Sequence, residues 1–103
     1  MTLLTEYKIR RLSLNQLKAL AVLARSKSGL VSSTPTGEEI GIMGKSLGGV
    51  FSSLARQKIN GQPLIIPYGQ GEIGRGLRWK LNEQVISLGE LKGIVNELLD
   101  SYV

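Results

Sequence analysis

The sequence predicts an α+β fold for a single domain of 103 residues. Three observations support this prediction. Several segments place apolar residues at helical spacing, and residues 77–81 alternate apolar and cationic side chains, as a half-buried strand does. The apolar content of 42% is sufficient for a hydrophobic core. We therefore expect a helical core, a two-stranded β-hairpin and a C-terminal helix.

The first helix is predicted over residues 14–27, after an N-terminal arm of residues 1–12. Ser13 and Gln16 have the spacing of a capping box, in which two side chains bind free backbone N–H groups at a helix start. Gly29 marks the end of the helix. The apolar residues between are spaced three and four apart, as on one helix face: Leu17, Leu20, Ala21 and Ala24.

Two more helices are predicted between residues 36 and 59. Thr36 and Glu39 form a second capping-box pattern, which predicts a helix of about two turns ending at Gly44. The following helix is predicted over 46–59, with Ser46 as its N-terminal cap. One of its faces is apolar and consists of Leu47, Val50, Phe51, Leu54 and Ile59.

A hairpin is predicted next, because two strand-like segments flank a glycine-rich connection. The first strand is expected over residues 64–68. Residues 69–76 contain four glycines, which predicts a mobile tip, and the second strand covers 77–81. Trp79 shares the apolar face of that strand, so we expect it to pack in the core rather than to stack on a ligand.

The last helix is predicted over 88–101, within a C-terminal segment of residues 83–103. A third capping box, from Ser87 to Glu90, starts it. Its apolar seam is suited to the protein's own core or to a second copy, and we predict a homodimer. The predicted dimerisation residues are Leu88, Leu91, Val95, Leu98 and Tyr102.

Charge and composition exclude several classes of function. Residues 1–82 contain twelve Lys/Arg and four Glu, a balance of +8, whereas residues 83–103 carry −3. Without Cys or His, the chain has no thiolate nucleophile, imidazole base or zinc-finger ligands. The longest apolar run, 19–24, is far shorter than the ~20 residues that span a bilayer. The absence of Cys, and therefore of disulfides, fits an intracellular protein, and we expect a cytoplasmic one.

The element order, together with a few residues, resembles the winged helix-turn-helix superfamily. The small regulators of bacteria and archaea built like MarR or ArsR repressors are the nearest comparison. The resemblance covers residues 13–82. It includes Val50 and Leu54, four residues apart in the third helix, Gly61 after it, and the segment 75–81 as the returning strand of a wing.

This resemblance implies that the third helix enters the DNA major groove and that the basic hairpin lies on the backbone. Gly48 and Gly49 are unfavourable in a helix, and their small size would allow a close approach to DNA. The predicted DNA-binding residues are Lys45, Ser46, Gly48, Gly49, Ser52, Ser53, Arg56, Arg75, Arg78 and Lys80.

We therefore predict a cytoplasmic, dimeric transcriptional regulator that binds double-stranded DNA. We expect no enzymatic activity, no metal or other cofactor, no membrane contact and no small-molecule substrate. One alternative is a winged helix that serves as a protein–protein interaction module in a larger assembly, without DNA binding. The sequence also leaves open whether the nucleic acid is DNA or structured RNA.

Overall fold

The computed structural model describes residues 3–101 and has the predicted α+β architecture. The helices are α1 (Leu3–Arg10), α2 (Leu14–Arg25), α3 (Ser33–Ile40), α4 (Gly44–Arg56) and α5 (Leu88–Asp100). The strands are β1 (Leu30–Ser32), β2 (Lys58–Ile59), β3 (Gln62–Pro63), β4 (Ile65–Gln70) and β5 (Leu77–Leu81). The radius of gyration is 12.6 Å, as expected for one domain of this length.

Two of the three predicted capping boxes are confirmed. Ser13 and Gln16 bind each other's backbone N–H groups at the start of α2, and Ser87 and Glu90 do the same at α5. The box at Thr36 is wrong. Helix α3 begins three residues earlier, and the Thr36 hydroxyl is buried and donates to the Ser32 carbonyl oxygen at 2.8 Å.

The boundaries of α3 and α4 also differ from the prediction. Helix α3 ends at Gly41, whose φ of 80° is the left-handed conformation that favours glycine at a helix C-terminus. Helix α4 starts at Gly44, so Ser46 lies in its first turn and is not its cap. Ile59, predicted to lie on the α4 face, is instead a buried residue of β2.

The main sheet is antiparallel, with strand order β1-β5-β4. Strand β5 is the central strand of this sheet. Strand β1, which pairs with it, was not predicted from the sequence. The pairing of β4 with β5 is regular at Pro67 and Trp79 and resumes at Gln70 and Leu77. Two residues of β4 therefore face one residue of β5 between these pairs, which is a β-bulge.

The core lies between the helices and one face of this sheet. Phe51 of α4 stacks on Trp79 of β5, with ring centroids 5.6 Å apart and planes 9° from parallel. Trp79 and Leu81 are buried, as the alternation of β5 predicts, while Leu77 at the outer end of the strand is exposed. Such an aromatic pair contributes about 0.5–1.5 kcal/mol beyond the burial of its surface.

The N-terminal arm contains a helix that belongs to the same core. Helix α1 packs against α5 and β2, and Ile9 is fully buried. Arg10 bridges Glu6 in its own helix and Glu97 in α5, at 2.8 and 3.4 Å. The arm is therefore part of the folded domain over its described residues. Within residues 3–101, no helix combines the length and hydropathy needed to cross a bilayer.

Candidate nucleic-acid interface

Five of the predicted DNA-binding residues share one face of α4, which we call the α4 stripe; four are exposed and Ser52 is half-buried. Its members are Lys45, Gly48, Gly49, Ser52 and Arg56. They are spaced i, i+3, i+4, i+7 and i+11, the spacing of one helix face. The opposite face holds Leu47, Phe51 and Leu54, which are buried. Packing of these three side chains thus turns the α4 stripe toward solvent.

The two glycines of the stripe have no structural requirement in the fold. Both lie inside the helix, and neither has the positive φ that favours glycine. No atom lies within 4 Å of a Cβ built on either residue. By contrast, a Cβ on Gly37 of α3 would lie 2.4 Å from the Ile42 carbonyl oxygen. The glycines of α4 therefore leave an open, narrow surface that packing does not explain.

Two other predicted contact residues of α4 lie beside the stripe. Ser53 accepts a hydrogen bond from Gln16 of α2 at 2.8 Å and donates to the Val50 carbonyl oxygen at 2.8 Å. It joins α2 to α4 and is not a free group for reading bases. Ser46 is exposed on the same flank, in the first turn of α4.

The hairpin cations surround an aromatic side chain that the sequence analysis did not select. Strand alternation directs Arg78 and Lys80 away from the core, opposite to Trp79. The Arg78 guanidinium carbon lies 5.5 Å from the ring centroid of Tyr68, and Lys80 Nζ lies 5.3 Å from it. These distances are in the cation–π range. Tyr68 was missed because its contact with β5 depends on the register and the bulge.

Arg75 lies in the hairpin tip, which is more ordered than the glycine content predicts. The Gly71 N–H donates to the Gly76 carbonyl oxygen at 2.8 Å, and the Arg75 backbone N–H donates to the Glu72 carbonyl oxygen at 2.9 Å. The Arg75 carbonyl oxygen accepts from the Thr34 N–H of α3 at 3.0 Å. The predicted mobile tip is thus closed by backbone bonds and attached to the start of α3.

The predicted cations fall into two separate groups. Helix α4 covers the inner face of the sheet through the Phe51–Trp79 contact, so the α4 stripe belongs to the helical side. Arg78 and Lys80 extend from the other face, which we call the outer sheet face. The predicted cations of α4 and of β5 therefore do not lie on one surface. Arg78 and Lys80 form a second basic surface, distinct from the α4 stripe.

The predicted dimerisation seam lies largely inside the protomer. Leu91 and Val95 have no exposed surface, and Leu88 and Leu98 pack against the same core. Helix α5 uses these side chains to cover α2. Leu91 and Val95 therefore have no accessible surface with which to contact a second copy in this fold. Tyr102 lies outside the described residues. A homodimer itself stays a prediction.

The described residues hold no cluster of three or more acidic side chains placed to bind a metal ion. Both surfaces present cations; the outer sheet face adds the exposed ring of Tyr68. Comparison of the chain with family models, with curated proteins and with solved structures gives no significant match.

Proposed function

We propose that this protein binds double-stranded DNA, with α4 in the major groove and the hairpin cations on the flanking backbone. The observation that carries the proposal is the α4 stripe, in which two unrequired glycines lie between Lys45 and Arg56 on an exposed helix face. The major groove is about 12 Å wide and admits an α-helix. Small residues on its leading face let the backbone approach the bases closely.

The order of elements supports this proposal. Helices α2, α3 and α4 are followed by the β4–β5 hairpin and a terminal helix, in the order that the winged helix-turn-helix resemblance implies. A regulator of this kind acts as a dimer on two half-sites. Because the α5 seam is occupied, the proposed dimer would use residues outside that seam.

The salt dependence of binding tests the proposal. Neutralisation of about five phosphates by Lys45, Arg56 and the three hairpin cations predicts a slope of log K against log salt of roughly −4 to −5 per protomer. The affinity of a labelled duplex is measured by fluorescence anisotropy at several salt concentrations. We expect Lys45→Ala to weaken binding to all duplexes and to reduce the slope by about one unit.

The hairpin is tested with the variant Arg75→Ala/Arg78→Ala/Lys80→Ala, which should flatten the slope further. Lys27→Ala and Lys92→Ala serve as controls, because both remove an exposed cation that belongs neither to α4 nor to the hairpin. An unchanged slope in the Lys45 variant would contradict the placement of α4. Absence of micromolar, salt-sensitive duplex binding would reject the proposal and favour a protein-interaction module.

A further inference from the structure

We infer that the outer sheet face is a separate site for single-stranded nucleic acid, in which an unpaired base stacks on Tyr68 and its phosphate binds Arg75 and Arg78. This site shares Arg75 and Arg78 with the proposed duplex interface, but it adds the Tyr68 ring and a single-stranded ligand, and it does not require that the duplex proposal hold. Non-specific single-strand binding combines a basic groove with aromatic rings on which bases stack. The hairpin presents both features within a few residues.

The first argument is the exposure of Tyr68 on a charged surface. The side chain is 48% exposed although two cations lie over its ring at 5.3 and 5.5 Å. Both cations belong to the same strand, β5. An aromatic ring held in this way has little freedom to lose when a base stacks on it, and neighbouring positive charge attracts the phosphates.

The second argument is the bulge that positions the ring. Tyr68 and Gly69 together face Arg78 across the β4–β5 pair. Gly69 has a φ of 82°, and a Cβ built on it would lie 3.5 Å from an Arg78 guanidinium nitrogen. The bulge thus lets the guanidinium pass close to the β4 backbone. Bulges frequently redirect a side chain next to a functional site.

The third argument is an unsatisfied donor beside a hollow. Arg78 Nε is buried and has no hydrogen-bond partner within residues 3–101. A buried donor without an acceptor is unfavourable by about 1–3 kcal/mol, so an oxygen that displaced the atoms covering Nε would be stabilised there. Arg78 lines a hollow of about 350 Å³, a volume within the range of small-ligand sites.

The lining of this hollow suits a nucleotide better than a bare anion. The residues that line it include two arginines, Arg75 and Arg78, with Gln70 and Ser32, and also the acidic residue Glu72. A carboxylate repels a free phosphate but accepts hydrogen bonds from the N–H groups of a base. A nucleotide combines a phosphate for the arginines with N–H donors for Glu72.

The test uses a fluorescently labelled single strand of ten thymidines, which forms no base pairs, and the full chain at low salt. Stacking on one aromatic ring is worth about 1–3 kcal/mol, so Tyr68→Leu should weaken binding about tenfold or more, whereas Tyr68→Phe should keep it. Arg78→Lys preserves charge but removes Nε, and should weaken binding several-fold.

Tyr7→Leu is the matched control. Tyr7 on α1 is 57% exposed and has the Arg11 guanidinium 5.3 Å from its ring centroid, but it lies on a different element. We expect Tyr7→Leu to bind the single strand like the wild type. Equal losses in both leucine variants, or no loss in Tyr68→Leu, would overturn the inference, as would failure of the wild type to bind the strand.

A blunt duplex, measured in parallel, separates this inference from the proposed function. Tyr68→Leu should bind the blunt duplex within twofold of the wild type, since a blunt duplex has no unpaired base to stack on the ring and the variant keeps every hairpin cation. Loss of duplex binding alone would contradict the proposed function and leave this site standing. Loss of Tyr68-dependent single-strand binding alone would contradict this site.

Discussion

Replacement of Gly48 and Gly49 by alanine should make the protein more stable and a weaker DNA binder. Glycine inside a helix is about 0.8–1 kcal/mol less favourable than alanine. No atom lies within 4 Å of either added Cβ, so no clash offsets the gain. The double variant should therefore gain about 2 kcal/mol. For a domain of this size, each kcal/mol raises Tm by about 4–8 °C.

The same two methyl groups should interfere with a close approach of α4 to DNA. They would project from the middle of the α4 stripe, between Lys45 and Arg56. We expect a loss of affinity of about tenfold, comparable with the removal of one base contact of about 1–3 kcal/mol. Thermal unfolding followed by circular dichroism gives the stability, and anisotropy titration of a duplex gives the affinity.

Gly93→Ala provides the control for helix stabilisation without DNA contact. Gly93 lies inside α5, is exposed, and also has no atom within 4 Å of an added Cβ. It should raise Tm and leave duplex affinity unchanged. A more stable Gly48→Ala/Gly49→Ala variant with unchanged affinity would refute the role of the α4 stripe. A less stable variant would refute the conclusion that the fold does not require these glycines.

Three further predictions concern the core and the caps. Leu91→Ala should cost about 2–5 kcal/mol, with the same loss at low and high protein concentration; a loss that varies with concentration would place Leu91 in a dimer contact. Trp79 is the only tryptophan. Because it is buried against Phe51, acrylamide should quench its fluorescence weakly until the protein unfolds. Strong quenching of the folded protein would contradict this packing. Ser87→Ala should lower stability by about 1 kcal/mol through loss of the α5 cap, and an unchanged urea midpoint would count against it.

The predictions that agree with the structure depend on neighbours in the chain. A capping box joins residues three apart, and the boxes at Ser13 and Ser87 are both present. Strand β5 covers the residues predicted for it, since alternation along five residues is a local pattern. Helical spacing likewise determines the apolar face of α4. Burial of that face leaves the α4 stripe on the solvent side.

The features that the sequence analysis missed occur where a contact between residues distant in sequence overrides the local structural preference. Thr36 fits a capping box, but it is buried in the middle of α3, where its hydroxyl donates to the Ser32 carbonyl oxygen. Strand β1 has only three residues and exists through its pairing with β5. The glycine pattern of the hairpin tip also gave no sign of its hydrogen bond to α3, in which the Thr34 N–H donates to the Arg75 carbonyl oxygen.

Local patterns in the chain were enough for the α+β class, the order of the main elements and the identity of the exposed helix face, because these depend on periodicity over one or two turns. Tertiary packing alone decided that the α5 seam is internal, that the hairpin cations lie apart from the α4 stripe, and that Tyr68 stands between Arg78 and Lys80. Each of these requires a strand register or an interelement contact, and such contacts join residues that are distant in sequence.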